Sequence, residues 1–131
     1  MKVTDFKIGD LVNFGGEKAK VMDTSFIDKN SIAVQYLDGG KGIWGANLLD
    51  EIDGIPLTEE ILEKNGWKKY YENEWTNPNF ANLHTSFINE GEWIITIRNG
   101  ETVDNVLTEI KYIHELQHIL WVIGENDNLT I

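Results

Sequence analysis

The chain has 131 residues, no cysteine, and 11 basic against 22 acidic residues, which gives a formal net charge of −11. The missing cysteines exclude disulfide scaffolds, thiolate metal sites and cysteine nucleophiles. The negative charge disfavours nonspecific binding to nucleic-acid phosphates or anionic lipids, so we expect no direct nonspecific contact with nucleic acid and none with a membrane.

Short strands separated by glycine and aspartate turns are predicted for residues 1–54. The segment LVNF at 11–14 is followed by Gly15-Gly16, and residues 31–37 alternate between two faces as a half-buried strand does. A glycine-rich loop is predicted at 38–42. Closing such short strands into a barrel would remove their exposed edges. From the number and spacing of the strands we expect an SH3-like barrel over residues 1–54.

A capped helix is predicted directly after this part of the chain. Pro56 cannot continue a strand ladder, and Thr58 is a suitable N-cap for a helix. The two glutamates at 59–60 lie in the first turn, where carboxylates oppose the positive end of the helix dipole. Asn65-Gly66 should end this helix after about two turns.

Further strands and a final helix are predicted for the rest of the chain. The strands cover residues 67–72, 80–88, 93–98 and 102–107, and the helix covers 108–123. The five tryptophans are more typical of core packing than of a binding surface, and Trp75, in an asparagine-rich loop, is the best candidate among them for an exposed contact. His84 is expected to be partly exposed. Residues 55–131 should therefore form an α+β part with an antiparallel sheet and a C-terminal helix. The whole chain is expected to be β-rich α+β, and the two parts to unfold as one cooperative unit because each core alone is small.

Residues 114–118 (HELQH) match the H-E-x-x-H pattern of zinc hydrolases on a predicted helix. Histidines four residues apart lie on one side of a helix and can share a metal, with Glu115 as the general base. At about 100° per residue, His114 and His118 fall on the more polar face together with Lys111, whose ammonium would repel a dication.

The rest of that helix gives the metal interpretation no support. The residues that follow the motif are ILWVIG, without a third ligand at the spacing typical of such enzymes. Leu116 and Leu120 mark the face that we expect to be buried. We therefore expect no catalytic, cofactor or metal site, and we keep a zinc site of His114 and His118 with Glu115 as base as the alternative.

Two segments carry a resemblance to known proteins. Residues 55–67 (IPLTEEILEKNGW) resemble the pattern I-P-L-T-E-E-x-L-x-K-x-G-F, and residues 110–118 (IKYIHELQH) resemble I-K-Y-V-H-Q-L-Q-N. Both patterns are typical of a family of small uncharacterised proteins of gut bacteria and their phages or mobile elements. The resemblance implies no activity. The family pattern has glutamine and asparagine in place of Glu115 and His118. The resemblance therefore implies that the match to the zinc hydrolase motif is a local variation of this sequence.

Three functions remain as hypotheses from these patterns. The first is a nonenzymatic cytoplasmic protein-interaction module, an accessory protein of a phage or mobile element, whose partner is another protein. The second is a zinc-dependent hydrolase that uses the HELQH motif. The third is an acidic nucleic-acid mimic, because residues 56–131 hold five basic and thirteen acidic residues. The cytoplasm is expected because the first residues lack the apolar core of a signal peptide, and the longest apolar run, 119–123, is too short to cross a bilayer.

Overall fold

The computed structural model describes residues 5–23, 31–38, 42–46, 51–99 and 102–131. These residues form two antiparallel five-stranded sheets and two helices, which confirms the expected β-rich α+β class. The chain divides into two compact units, Met1–Ile55 and Pro56–Ile131, with one sheet in each. Neither helix in the described part of the chain is long and apolar enough to cross a membrane.

The first unit contains four consecutive strands and a fifth that returns to the first. The strands are β1 Leu11–Phe14, β2 Glu17–Asp23, β3 Ser31–Tyr36, β4 Gly42–Ala46 and β5 Ile52–Gly54. Hydrogen bonding orders them β4-β3-β2-β1-β5, and all neighbours are antiparallel. The edges of this sheet are therefore β4 and β5. The predicted glycine-rich loop at 38–42 lies largely outside the described residues.

The local predictions for this unit hold. Gly15 and Gly16 connect β1 to β2 as a two-residue hairpin loop, and both have positive φ, 58° and 85°, which glycine adopts without strain. The predicted alternation along β3 is confirmed, because Ile32 and Val34 are buried while Gln35 is exposed. These strands enclose a core formed by Phe6, Val12, Phe14, Ala19, Val21, Ile32, Val34 and Ile52.

The second unit contains the other five strands and both helices. Its elements are α1 Glu59–Lys64, β6 Lys68–Tyr71, β7 Glu74–Thr76, β8 Leu83–Asn89, β9 Glu92–Asn99, β10 Thr102–Ile110 and α2 Ile113–Val122. The sheet order is β10-β9-β8-β7-β6, again antiparallel. Register places Trp75 opposite Thr85 and Thr85 opposite Ile95, so these side chains share one face. Glu74 and His84 belong to the other face.

The first helix begins and ends where the sequence predicts. The hydroxyl oxygen of Thr58 accepts the backbone N–H of Ile61 at 3.3 Å, as an N-cap does. Asn65 is the C-cap, and Gly66 follows with φ 83° in the left-handed region.

The C-terminal helix is shorter than predicted, because its expected first turn belongs to a strand. Residues 102–110 pair with β9 from Thr102 opposite Asn99 to Ile110 opposite Trp93, with two register shifts on the way. The predicted strand 102–107 is therefore longer, and the helix begins at Ile113 instead of 108. Pairing with the preceding strand supplies ladder hydrogen bonds that outweigh a weak local preference for helix.

The expectation for Trp75 is wrong. The predicted asparagine-rich loop contains the short strand β7, and Trp75 lies within it, only 1% exposed. Trp75 lies on the same sheet face as Trp93, and the two rings pack together with centroids 5.5 Å apart.

Candidate docking groove

The structure brings the two histidines of the HELQH motif together but buries one of them. His114 and His118 have ring centroids 5.8 Å apart, as residues four apart on α2 should. His118 is half-buried, whereas His114 is buried with its ring stacked on Tyr112 at 5.7 Å. The expected polar face is therefore wrong for His114. Gln117 is also buried and donates to the carbonyl of Asp127, so the chain after α2 folds back along the helix and widens its buried face.

Glu115 has a structural contact that competes with a catalytic one. Its Oε1 accepts the backbone N–H groups of Lys111 and Tyr112, each at 3.0 Å. This is the glutamate half of a capping box, which satisfies donors at the start of the helix. Among the described residues, no three His, Cys, Asp or Glu side chains are arranged to hold a metal ion.

A buried charged cluster that the sequence did not indicate lies on the opposite sheet face from Trp75. His84 is 4% exposed, so its expected partial exposure is wrong. Its Nδ1 contacts the Glu74 carboxylate, which also pairs with Arg98 through Nε–Oε2 at 2.8 Å and Nη2–Oε1 at 3.1 Å. The Arg98 guanidinium lies 5.6 Å from the centroid of the Tyr70 ring. Mutual compensation of these charges explains how they tolerate burial.

An apolar groove of about 600 Å³ lies in the second unit, between the segment that precedes α1 and the strands β7 to β9. Its walls combine large apolar side chains with a few polar groups near the ends of elements. The lining residues are Pro56, Leu57, Thr58, Glu59, Asn73, Trp75, Phe87, Glu90, Gly91 and Trp93.

Trp93 holds the two sides of this groove together. Its indole Nε1 donates to the carbonyl of Leu57 at 3.0 Å, which ties the segment before α1 to β9. The Trp93 ring also meets Trp75 and Phe87 edge-on, with centroids 5.5 and 5.4 Å apart. Leu57 donates its own backbone N–H to Lys111 at 3.0 Å, so the segment is held from both directions. The groove is therefore built on backbone and aromatic contacts and not on a mobile side chain.

The polar groups that line the groove are acidic or neutral, and one basic group is near them, because Lys69 Nζ lies 5.5 Å from the centroid of the Trp75 ring. Glu59 and Glu90 are exposed, Phe87 is 38% exposed, and the two tryptophans are buried. Trp75 Nε1 has no hydrogen-bond partner among the described residues. That nitrogen is itself shielded from solvent, so it adds no polar contact to the open groove. The exposed carboxylates of Glu59 and Glu90 suit an apolar group with positive charge nearby.

The groove could not be predicted from the sequence. Its lining comes from residues 56–59, 73–75 and 87–93, which become neighbours only through the sheet order. The one available signal was the spacing of tryptophans in the second half, which on its own is more typical of core packing.

Comparison of the chain with models of known families, with curated proteins and with solved structures finds no match.

Proposed function

We propose that the chain is a nonenzymatic protein-interaction module and that the apolar groove is its docking site. The occupant is a segment of another protein that inserts a large apolar side chain and carries basic residues beside it. The observation that carries this proposal is the groove itself, in which Phe87 is exposed and packs edge-on against Trp93. Aromatic side chains held rigidly around a pocket are the usual anchors of protein interfaces.

Two properties favour a protein segment as the occupant. Phe87 is 38% exposed although its ring packs on Trp93, so an apolar side chain of a partner can contact it. The rim residues Glu59 and Glu90 are carboxylates, and residues 56–131 carry thirteen acidic against five basic residues. The negative charge of residues 56–131 would attract a basic partner segment, and the carboxylates of Glu59 and Glu90 would orient it.

Peptide display tests the proposal directly. A library of random peptides is selected on the purified full chain, and individual binders are then measured by titration calorimetry. We expect the selected peptides to contain Trp, Phe or Leu beside Lys or Arg. The Phe87→Ala variant should weaken binding by about tenfold or more, since removal of an anchor contact commonly costs over 1 kcal/mol.

Matched variants control for exposure and charge. Phe80 is 37% exposed, nearly the same as Phe87, but does not line the groove, so Phe80→Ala should leave affinity unchanged. Glu59→Gln should weaken binding more than Glu60→Gln, because both glutamates lie in the first turn of α1 and only Glu59 lines the groove. Equal losses in each matched pair, or selection of no binding peptide, would contradict the proposal.

The SH3-like barrel of residues 1–54 is a further part of this proposal. Its support is the set of five short strands and the pairing of β5 with β1, which returns the chain to the start of the sheet. Closure requires contact between β4 and β5, and nuclear Overhauser effects between their α-protons test it. The cytoplasmic location and the role in a phage or mobile element depend on sequence patterns alone and stay predictions.

A further inference from the structure

A second, acidic pocket adjoins the docking groove in the same unit. It has a volume of about 430 Å³ and is lined by the β6–β7 hairpin and one residue of β8. The lining residues are Tyr71, Glu72, Asn73, Glu74 and Ser86. Asn73 lines both this pocket and the groove, and its carbonyl accepts the backbone N–H of Phe87 at 2.8 Å. The groove is lined by Trp75 and Phe87 and the pocket by Glu74 and Ser86, so the two cavities lie on opposite faces of the sheet and meet at Asn73, in the turn between β6 and β7.

The two carboxylates of this pocket differ in what they already bind. Glu74 is buried and bonded to Arg98 and His84, so its charge is compensated inside the unit. Glu72 is exposed and makes no ion pair within the described ranges of the chain. The negative charge that the pocket offers to a ligand therefore comes from Glu72.

An exposed aromatic side chain lines the same pocket as the Glu72 carboxylate. Tyr71 is 60% exposed, although its ring is held edge-on against Tyr70 with centroids 4.6 Å apart. A ring face attracts a cation, and a guanidinium can stack on the ring while it pairs with a carboxylate. An exposed tyrosine and a glutamate that forms no ion pair with the described residues thus line one pocket, a combination suited to a basic side chain.

We infer that this pocket is a subsite for an arginine or lysine of the same segment that docks in the groove. The inference rests on the proposed function, because it assigns the second contact of that segment. The apolar anchor occupies the groove between Leu57 and Phe87, the chain turns around the end of the β6–β7 hairpin at Asn73, and the basic side chain reaches Tyr71 and Glu72 on the other face of the sheet. The partner is then recognised by an apolar residue and a cation a short distance apart, and not by apolar surface alone.

A double-mutant cycle between peptide and protein tests the inference. A selected peptide is compared with its analogue in which the basic residue is replaced by norleucine, which keeps the length and removes the charge. On the wild-type chain we expect the analogue to bind about threefold to tenfold more weakly, as for a cation at an exposed aromatic and carboxylate. On Glu72→Gln and Tyr71→Ala, the native peptide should weaken and the difference between the two peptides should shrink below about twofold.

A control variant and the groove variant distinguish failure of the subsite from failure of the docking groove. Glu63→Gln removes an exposed charge of α1 that lines neither cavity, so the difference between peptides should persist there. If Phe87→Ala abolishes binding while Glu72→Gln leaves the peptide difference intact, the subsite is wrong and the docking groove stands. If Phe87→Ala has no effect, the docking groove itself is wrong, and the subsite falls with it.

Discussion

The carboxylate oxygen Oε1 of Glu115 accepts the backbone N–H of Tyr112 at 3.0 Å, across the first turn of α2. The same oxygen accepts the N–H of Lys111, also at 3.0 Å, so one side chain joins the residues that follow β10 to the helix. A negative charge at this end of a helix also opposes the positive end of its dipole. Both roles are structural, and they use the group that the zinc hypothesis needs as a base.

Replacement of Glu115 should therefore affect stability. We expect Glu115→Ala to lower the free energy of unfolding by about 1 kcal/mol, as for the loss of a helix cap. Glu115→Gln should cost less than half as much, because an amide oxygen can still accept both N–H groups while the charge is lost. Urea denaturation monitored by tryptophan fluorescence measures both. An alanine variant as stable as the wild type would show that the cap contributes nothing.

Zinc should leave the stability of the chain unchanged. His114 is buried under Tyr112, Glu115 is bonded to the backbone, and the described residues place no third ligand with them. If the chain bound zinc, a free zinc concentration of 100 times the Kd would stabilise the fold by about 2.7 kcal/mol, which thermal denaturation detects easily. A rise in the transition temperature that disappears in His118→Ala would restore the metal site.

The sequence predicted best where the cause of a structure is local. The N-cap of Thr58 and the left-handed Gly66 act within a few residues of α1, so that helix was predicted from its own sequence. The Gly15-Gly16 hairpin has the same basis. Residues 108–110 show the limit, because they become strand only through pairing with β9, which no local pattern announces.

The burial of individual polar and aromatic side chains could not be predicted from local sequence patterns. Trp75 is surrounded by asparagines in the sequence, yet it is buried and its ring packs on Trp93 of β9. His84 is expected to be partly exposed because its polar partners are not apparent from the local sequence. Glu74 and Arg98 are ten and fourteen residues away from it. Both the groove and the charged cluster depend on such nonlocal partners, so neither could be predicted from spacing.

The buried face of α2 can be tested with two apolar residues of opposite exposure. Leu120 is buried, as the sequence predicted, and Val122 is 75% exposed. Leu120→Ala should lower the free energy of unfolding by about 2–5 kcal/mol, because it leaves a cavity. Val122→Ala should stay within about 0.5 kcal/mol. Chemical denaturation of the two variants that gave the opposite order would mean that the helix is rotated.

The Glu74 cluster should show strong coupling. Glu74→Gln leaves Arg98 and His84 facing a neutral amide in a buried site, and should cost about 3 kcal/mol. Arg98→Met added to it should cost less than the sum of the two single variants, with a coupling of about 1–3 kcal/mol. The exposed neighbour Glu72→Gln is the control and should be near neutral. Simple additivity in denaturation experiments would show that the pair contributes no mutual stabilisation.

The residues after α2 are held by hydrogen bonds from the end of α1. Asn65 Nδ2 donates to the carbonyls of Ile61 and Thr130 at 2.7 and 2.8 Å, and Asn65 Oδ1 accepts the Thr130 N–H at 2.7 Å. Lys64 Nζ adds a bond to the carbonyl of Ile131 at 3.2 Å. One amide side chain thus caps its own helix and holds a segment 65 residues away in the sequence.

Loss of that amide should release the segment without unfolding the unit. In Asn65→Ala, we expect hydrogen exchange at the Thr130 amide to accelerate by about tenfold or more, since two hydrogen bonds of about 1 kcal/mol each are lost there. Asn65→Asp should give an intermediate rate, because it keeps the acceptor for Thr130 but loses both Nδ2 donations and adds a negative charge at a helix C-terminus. Thr130→Ala is the matched control, since it retains the backbone groups that Asn65 binds. Exchange measured by nuclear magnetic resonance that is equally slow in the wild type and in Asn65→Ala would mean that other contacts hold the segment.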